Sequence, residues 1–171
     1  MARREILEYP DPRLKATSAA VDLFDDTVGE LADDLIDTLY TTEAIALSAP
    51  QVDDHRRLLV MDLSGTKSAP QVYVNPEIIA RRAWGFVEES CLSVPGVVGN
   101  VLRATEVYVR AQDARGGSFE RSLSGMEAVC LQHEMDHLTG KLFIDRMSIF
   151  RRMSVRAKAR SRARARENET A

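Results

Sequence analysis

The chain has 171 residues, 44% of them apolar and 29% charged, the proportions of a soluble globular protein with enough length for one domain and a real core. No apolar run approaches the roughly 20 residues of a membrane helix, and Ile6-Leu7 behind Arg3-Arg4-Glu5 is too brief for a signal peptide, so a cytoplasmic protein is expected. The net charge of −3 conceals a basic end, since Ser148 to Ala171 holds eight Lys or Arg against two Glu; an acidic body thus ends in a tail that contacts polyanions or stays solvated.

Along the chain, Pro10-Asp11-Pro12 reads as a turn or extended entry. From Asp25 to Thr42 the residues Val28, Leu31, Leu35, Ile36 and Leu39 recur at helical spacing, which predicts an amphipathic helix. Ala44 to Val52 reads as a small apolar loop. Arg57 to Leu63 and Gln71 to Val74 read as strands, the second broken by Asn75-Pro76. Glu77 to Val87 holds a further strand, and Glu88 to Gly99, with Pro95 and two glycines, is loop-like. Thr105, Val107 and Val109 alternate against Glu106, Tyr108 and Arg110, a strand signal. Gly116-Gly117 makes a hairpin turn into a return strand from Ser118 to Leu123. Met126 to Leu138 lacks Pro and Gly and is expected to be helical, with Gly140 at its C-cap. Ser148 to Arg166 is a final basic helix. This order predicts a single α+β domain with antiparallel β-sheets around a central helix, an N-terminal helix and a basic C-terminal helix.

The central helix carries His133-Glu134-Met135-Asp136-His137, an HExxH pattern. Residues four apart share a helix face, so both imidazoles can meet one cation. Glu134, offset by one position, stands where a general base would act on metal-bound water. The plain alternative is a solvated face of acids and histidines. A catalytic site needs a third protein ligand and an open fourth position. Downstream of Gly140 there is no histidine; upstream stand Glu88, Glu89 and Cys91. Cys130 is the rival thiolate, but seven helical residues span about 10.5 Å and helical side chains lean toward the N-terminus, which turns Cys130 away from a cation held by His137. Cys91, on a loop, is free to approach. A Cys-His-His set with one open position suits Zn2+ or Fe2+ and metal-assisted hydrolysis.

Three motifs in order resemble those of the peptide deformylases. QHEMDHLTG (132–140) matches the family's third motif, Glu89-Ser90-Cys91-Leu92-Ser93 is similar to EGCLS, and Ala44 to Gln51 is similar to GxGLAAxQ. The resemblance covers about residues 5 to 150 and implies a catalytic domain over 1–150 followed by a basic helix or tail over 151–171. It implies a metal-dependent hydrolase that removes the N-formyl group from N-formylmethionyl polypeptides. Cys91, His133 and His137 would hold one divalent ion, Fe2+ foremost, with Zn2+ or Ni2+ as substitutes. Glu134 would be the general base, and the Gln51 amide and Leu92 N–H the oxyanion donors. Ile45, Ala46, Val87, Glu89, Met126, Val129 and Cys130 match positions of the substrate pocket; ordinary core packing also accounts for Val87, Met126 and Val129. Ser93 and Asp136 support the site or simply cap and solvate.

The chain departs from those motifs where Ala44, Ala46 and Ser90 replace glycines, and Val98 stands in place of a common arginine. A Cβ in left-handed backbone would cost about 1 kcal/mol or more at each glycine position; if the glycines instead admit substrate, a methyl at Ala46 narrows the groove. Basic C-terminal extensions in some deformylases dock on the ribosome, and this tail is similar in character. The rival readings are a metallopeptidase, a non-catalytic ribosome- or RNA-binding module, and a deformylase-like paralogue that is weak or acts on another formylated substrate.

Overall fold

Asp25 caps the first helix, its carboxylate accepting from the Thr27 N–H, the device that satisfies a free helix-end donor. In the computed structural model that helix, α1, runs Asp26–Tyr40. The described residues are 3–169; residues 1, 2, 170 and 171 and the side chains of residues 160 and 162–169 lie outside, including part of the expected basic tail. Five strands form one antiparallel sheet in sequence order: β1 (Ala46–Ser48), β2 (Leu58–Met61), β3 (Gln71–Ser90), β4 (Val98–Gln112) and β5 (Ser118–Ser124). Two further helices follow, α2 (Gly125–His137) and α3 (Ile149–Glu169). The expected α+β architecture is therefore present, with one sheet.

β2 shows why its residues are apolar without alternation. Leu58 and Val60 pack with Val28, Leu31, Leu35 and Leu39 of α1, whereas Leu59 and Met61 pack with Ala128 and Leu131 of α2. Both faces of this part of the sheet are covered, so strict polar alternation is lost. A third cluster joins Val94 and Val101 to Phe143, Ile144, Met147 and Val155, which seats the start of α3.

Three expectations change. Asn75-Pro76 does not end a strand: Asn75 takes φ +50 and the register shifts between Val74 and Glu77, a bulge that β3 runs through. Ala44 to Val52 is not all loop, because Ala46–Ser48 pairs with Leu59–Met61 as an edge strand, followed by a 3-10 turn over Ala49–Val52. The loop-like segment 88–99 is pairing strand at both ends, Ser90 standing opposite Val98. Gly140 sits at φ +69 after α2, and a Cβ there would run into the Lys15 carbonyl. Glycine is thus required twice over at that position.

Candidate metal centre

α2 buries polar side chains. Gln132, His133, Glu134, Asp136 and His137 are all buried, which calls for partners or a function. Gln132 is accounted for by β4, accepting from the Ala104 N–H at 3.2 Å and donating to the Ala104 carbonyl at 2.7 Å. This hitches α2 to the sheet and aims His133 and His137, one turn apart, at the end of β3, where Cys91 follows Ser90.

The Cys91 Sγ lies 3.3 Å from the His137 Nε2, and one donor atom from each of Cys91, His133 and His137 lies within 4.8 Å of the others. A tetrahedral ion with bonds of about 2.3 Å to sulfur and 2.0 Å to nitrogen sets its ligand atoms about 3.5 Å apart. The three donors fit one such ion with small adjustments. Cys130 is outside this cluster; burial, reinforced by Glu134, Glu89 and Glu127, pushes its thiol up to about 12, the reverse of what a ligand thiolate needs.

Behind the donors runs a buried charge relay. The His133 Nδ1 meets the Glu89 carboxylate at 2.7 Å, which leaves the Nε2 lone pair for a cation. Glu89 accepts from the Arg103 guanidinium at 2.6 and 3.0 Å. Arg103 donates to Asp136 at 2.7 Å, and Asp136 accepts from Arg146 at 2.5 and 2.6 Å. Burial alone would raise the Glu89 carboxyl, but the bonds from His133 and Arg103 hold it at about 2. Burial pulls both imidazoles down; at His133 the Cys91 and Glu89 neighbours outweigh it and the ring is held well above its ordinary value. His137, facing His133 and Arg103, falls well below. Cys91 and Glu89 thus favour positive charge at His133, a charge that a bound metal ion would supply in place of the ring proton, while His137 stays a neutral donor.

Glu134 is buried, and its Oε2 has no hydrogen-bond partner among the described residues. Burial pushes its carboxyl above the ordinary range, although His133 and Ser48 pull it back. The Gln51 Oε1 accepts from both the Ser48 N–H and the Ser48 hydroxyl at 2.9 Å. The amide nitrogen therefore faces the site, 3.1 Å from the Ser93 Oγ and 3.7 Å from the Cys91 Sγ. No hydrogen bond of the Leu92 N–H is found among the described residues.

These groups open onto a cavity of about 720 Å³. Cys91, His133, Glu134, Gln51 and Leu92 line it, as do Ile45, Ala46, Glu89, Met126, Val129 and Cys130. His137 lies behind the lining, almost fully buried. Val87 is not among the lining residues; it stands opposite Val101, two residues and about 7 Å along β3 from Glu89. Reading the sequence alone missed Arg103, the buried centre of the relay, Arg146, its exposed outer end, and Ser48, which orients Gln51. A signal existed for Arg103: it shares strand parity with the inward residues Val107 and Val109.

A family model described as polypeptide deformylase matches residues 3–153. The chain belongs to the polypeptide deformylase family. It is 47% identical over 161 residues to peptide deformylase 2 of Xanthomonas campestris, covering 92% of this chain and 95% of that one. To the peptide deformylase of Hahella chejuensis it is 45% identical over 159 residues, with the same coverage. The crystal structure of a peptide deformylase from Legionella pneumophila superposes with a TM-score of 0.90 at 42% identity, over 97% of this chain and 98% of that one.

Within that family the three lost glycines carry no left-handed strain. The non-glycine residues with positive φ are Asp53, Lys67, Asn75 and Ala83; Ala44, Ala46 and Ser90 are not among them. All three line the cavity, so their side chains act on its width rather than on the backbone. Val98 is exposed and lies outside the lining.

Proposed function

We propose that this chain is a metal-dependent peptide deformylase that removes the formyl group from N-formylmethionyl nascent polypeptides in the cytoplasm and releases formate. The observation that carries the reading is the convergence of Cys91, His133 and His137 donor atoms within 4.8 Å at the base of a cavity that Glu134 and Gln51 also line. A divalent ion held by the three, Fe2+ in first place with Zn2+ or Ni2+ as substitutes, supplies a Lewis acid that lowers the pKa of water and polarises a carbonyl.

The rest is done by the chain. Ile45, Val129, Cys130 and Met126 offer an apolar recess to an unbranched thioether side chain. Burial of Glu134 poises its Oε2 to take a proton from the attacking water and deliver it to the departing amine nitrogen. Gln51, locked by Ser48, and the Leu92 N–H donate to the oxygen that gains charge as water adds to the formyl carbon; losing one such donor costs about 10²–10³ in rate. Ser93 accepts one amide hydrogen of Gln51, and the other is aimed toward the Cys91 Sγ, the side on which that oxygen would lie. Residues 151–171 form a basic tail, appended to a catalytic domain over 1–150, that contacts the ribosome; truncation after Ile149 weakens ribosome cosedimentation in a salt-dependent way.

The test is formate release from a formyl-Met tripeptide by Fe2+- or Ni2+-loaded protein, with elemental analysis. Wild type turns over and holds one ion per chain. Glu134→Gln keeps the ion and loses about 10²–10⁴ in rate, while Cys91→Ala loses the ion. A loaded wild type without turnover would discard the reading.

A further inference from the structure

The outer face of the β3–β4 hairpin carries apolar side chains that the core does not use. Trp84 is 58% exposed, Phe86 77%, Leu102 46% and Val98 47%. Side chains two apart on a strand share a face, and directly paired residues share it too. Phe86 pairs with Leu102, Glu88 with Asn100 and Ser90 with Val98, so Trp84, Phe86, Leu102 and Val98 lie on one face with Glu88 and Ser90. Those last two also line the catalytic cavity. The strip is thus continuous with the wall of the groove.

We infer that Trp84, Phe86 and Leu102 dock apolar side chains of the substrate polypeptide beyond its fifth residue, so that this chain favours formyl-methionyl polypeptides with an apolar early sequence. This rests on the deformylase reading. Phe86 is five residues and Trp84 seven residues from Cys91 along an extended strand, about 17 and 24 Å at ~3.4 Å per residue. An extended substrate whose first residue is at Cys91, and which follows β3 toward Trp84 along the face that Ser90 and Glu88 share with the cavity, brings positions six to eight to the strip. The three side chains leave roughly 400 Å² to cover, so two copies joined through them would bury less than the ~1,200 Å² of a stable interface. A single strand of peptide matches that width, and Arg82 at the far end is balanced across the sheet by Glu106.

Trp84 is the chain's sole tryptophan and reports occupancy directly. The experiment uses metal-loaded protein, a formyl-Met tripeptide, and two formyl-Met decapeptides alike except for Leu-Val-Leu or Ser-Gly-Ser at positions six to eight. The apolar decapeptide is expected to have a kcat/KM about five- to tenfold higher, mostly through KM. Its unformylated form shifts Trp84 emission to the blue, and the polar one does not. The double variant W84S/F86S brings the two decapeptides within about twofold and leaves tripeptide turnover unchanged. Equal decapeptides with intact tripeptide turnover overturn the inference alone; absent tripeptide turnover overturns the deformylase reading instead. An emission shift produced only by raising protein concentration, or only by phospholipid vesicles, assigns the strip to self-association or a lipid surface and also overturns it.

Discussion

Replacing Arg103 by methionine tests the charge relay behind the metal donors. Arg103 is almost fully buried and supplies two of the three hydrogen bonds that Glu89 accepts. Asp136 would keep both bonds to Arg146, so the substitution strands one buried carboxylate rather than two. Breaking such a pair costs about 3–5 kcal/mol. The titration of Glu89 points the same way: a carboxyl held at about 2 rather than 4.5, by His133 and Arg103 together, contributes about 3 kcal/mol at neutral pH, of which Arg103 supplies a share. A loss of about 3 kcal/mol, the low end of the pair's cost, lowers Tm by roughly 6–12 °C in a chain of this size. The pH signature follows from the sign. Glu89 is depressed in the fold, so its stabilisation is complete above 4.5 and is lost as pH falls from there toward about 2. In Arg103→Met this acid-side loss shrinks and stability below 4.5 depends less on pH. Because Glu89 also orients His133, the ion should bind about 10–100-fold more weakly. Thermal melts and urea unfolding of metal-free protein between about pH 7 and pH 3, with metal competition titrations, read these effects. An unchanged Tm together with an unchanged acid slope would show that Arg103 does not hold Glu89 and would refute the relay.

Glu134→Gln should lose activity yet gain stability as pH rises above 4.5, since the native carboxyl resists ionisation that the unfolded one undergoes; thermal melts of the metal-free protein across pH check this, and equal slopes for wild type and variant refute it. Cys130, with its thiol near 12, should react with iodoacetamide about three orders of magnitude more slowly than an ordinary thiol at about pH 8, as peptide mapping would show. Gly65→Ala and Gly140→Ala separate two costs of glycine replacement. Both sites have positive φ, but Gly65 has open space around it and Gly140 abuts the Lys15 backbone. Gly65→Ala should cost about 1 kcal/mol and Gly140→Ala about 3 kcal/mol or more in urea unfolding.

The sequence disclosed the elements whose side chains repeat with a period and hid those set by pairing. α1 was legible because Val28, Leu31, Leu35 and Leu39 mark one face and Asp25 caps it. β1 was not, because three residues buried on both sides carry no alternation. β3 was read as pieces because Asn75-Pro76 looks like a stop, and only cross-strand pairing with β4 shows it to be a bulge. At the site, HExxH spacing announced two donors through helix geometry alone. The choice between Cys91 and Cys130 needed the lean of helical side chains, and the motif resemblance pointed the same way. Arg103 was passed over although its parity with Val107 and Val109 marks it as inward, because the partners that let an arginine be buried, Glu89 and Asp136, lie 14 and 33 residues away.

α2 brings these threads together. A helix covered on most sides is expected to be apolar, and Leu131, Ala128 and Val129 meet that expectation. Gln132, His133, Glu134, Asp136 and His137 do not, and each has a different remedy. Gln132 is satisfied by the backbone of β4, Asp136 by two arginines, and His133 by Glu89. The Glu134 Oε2 has no partner among the described residues, and the His137 Nε2 meets only the Cys91 Sγ. An unpartnered buried polar atom costs about 1–3 kcal/mol, and its place beside three donor atoms is in keeping with a group kept polar for chemistry rather than for packing. A divalent ion that binds the folded chain at 100 times its Kd adds about 2.7 kcal/mol of stability. Chelation should therefore lower Tm in wild type and leave Cys91→Ala unmoved, and an equal fall in both would place the bound ion elsewhere.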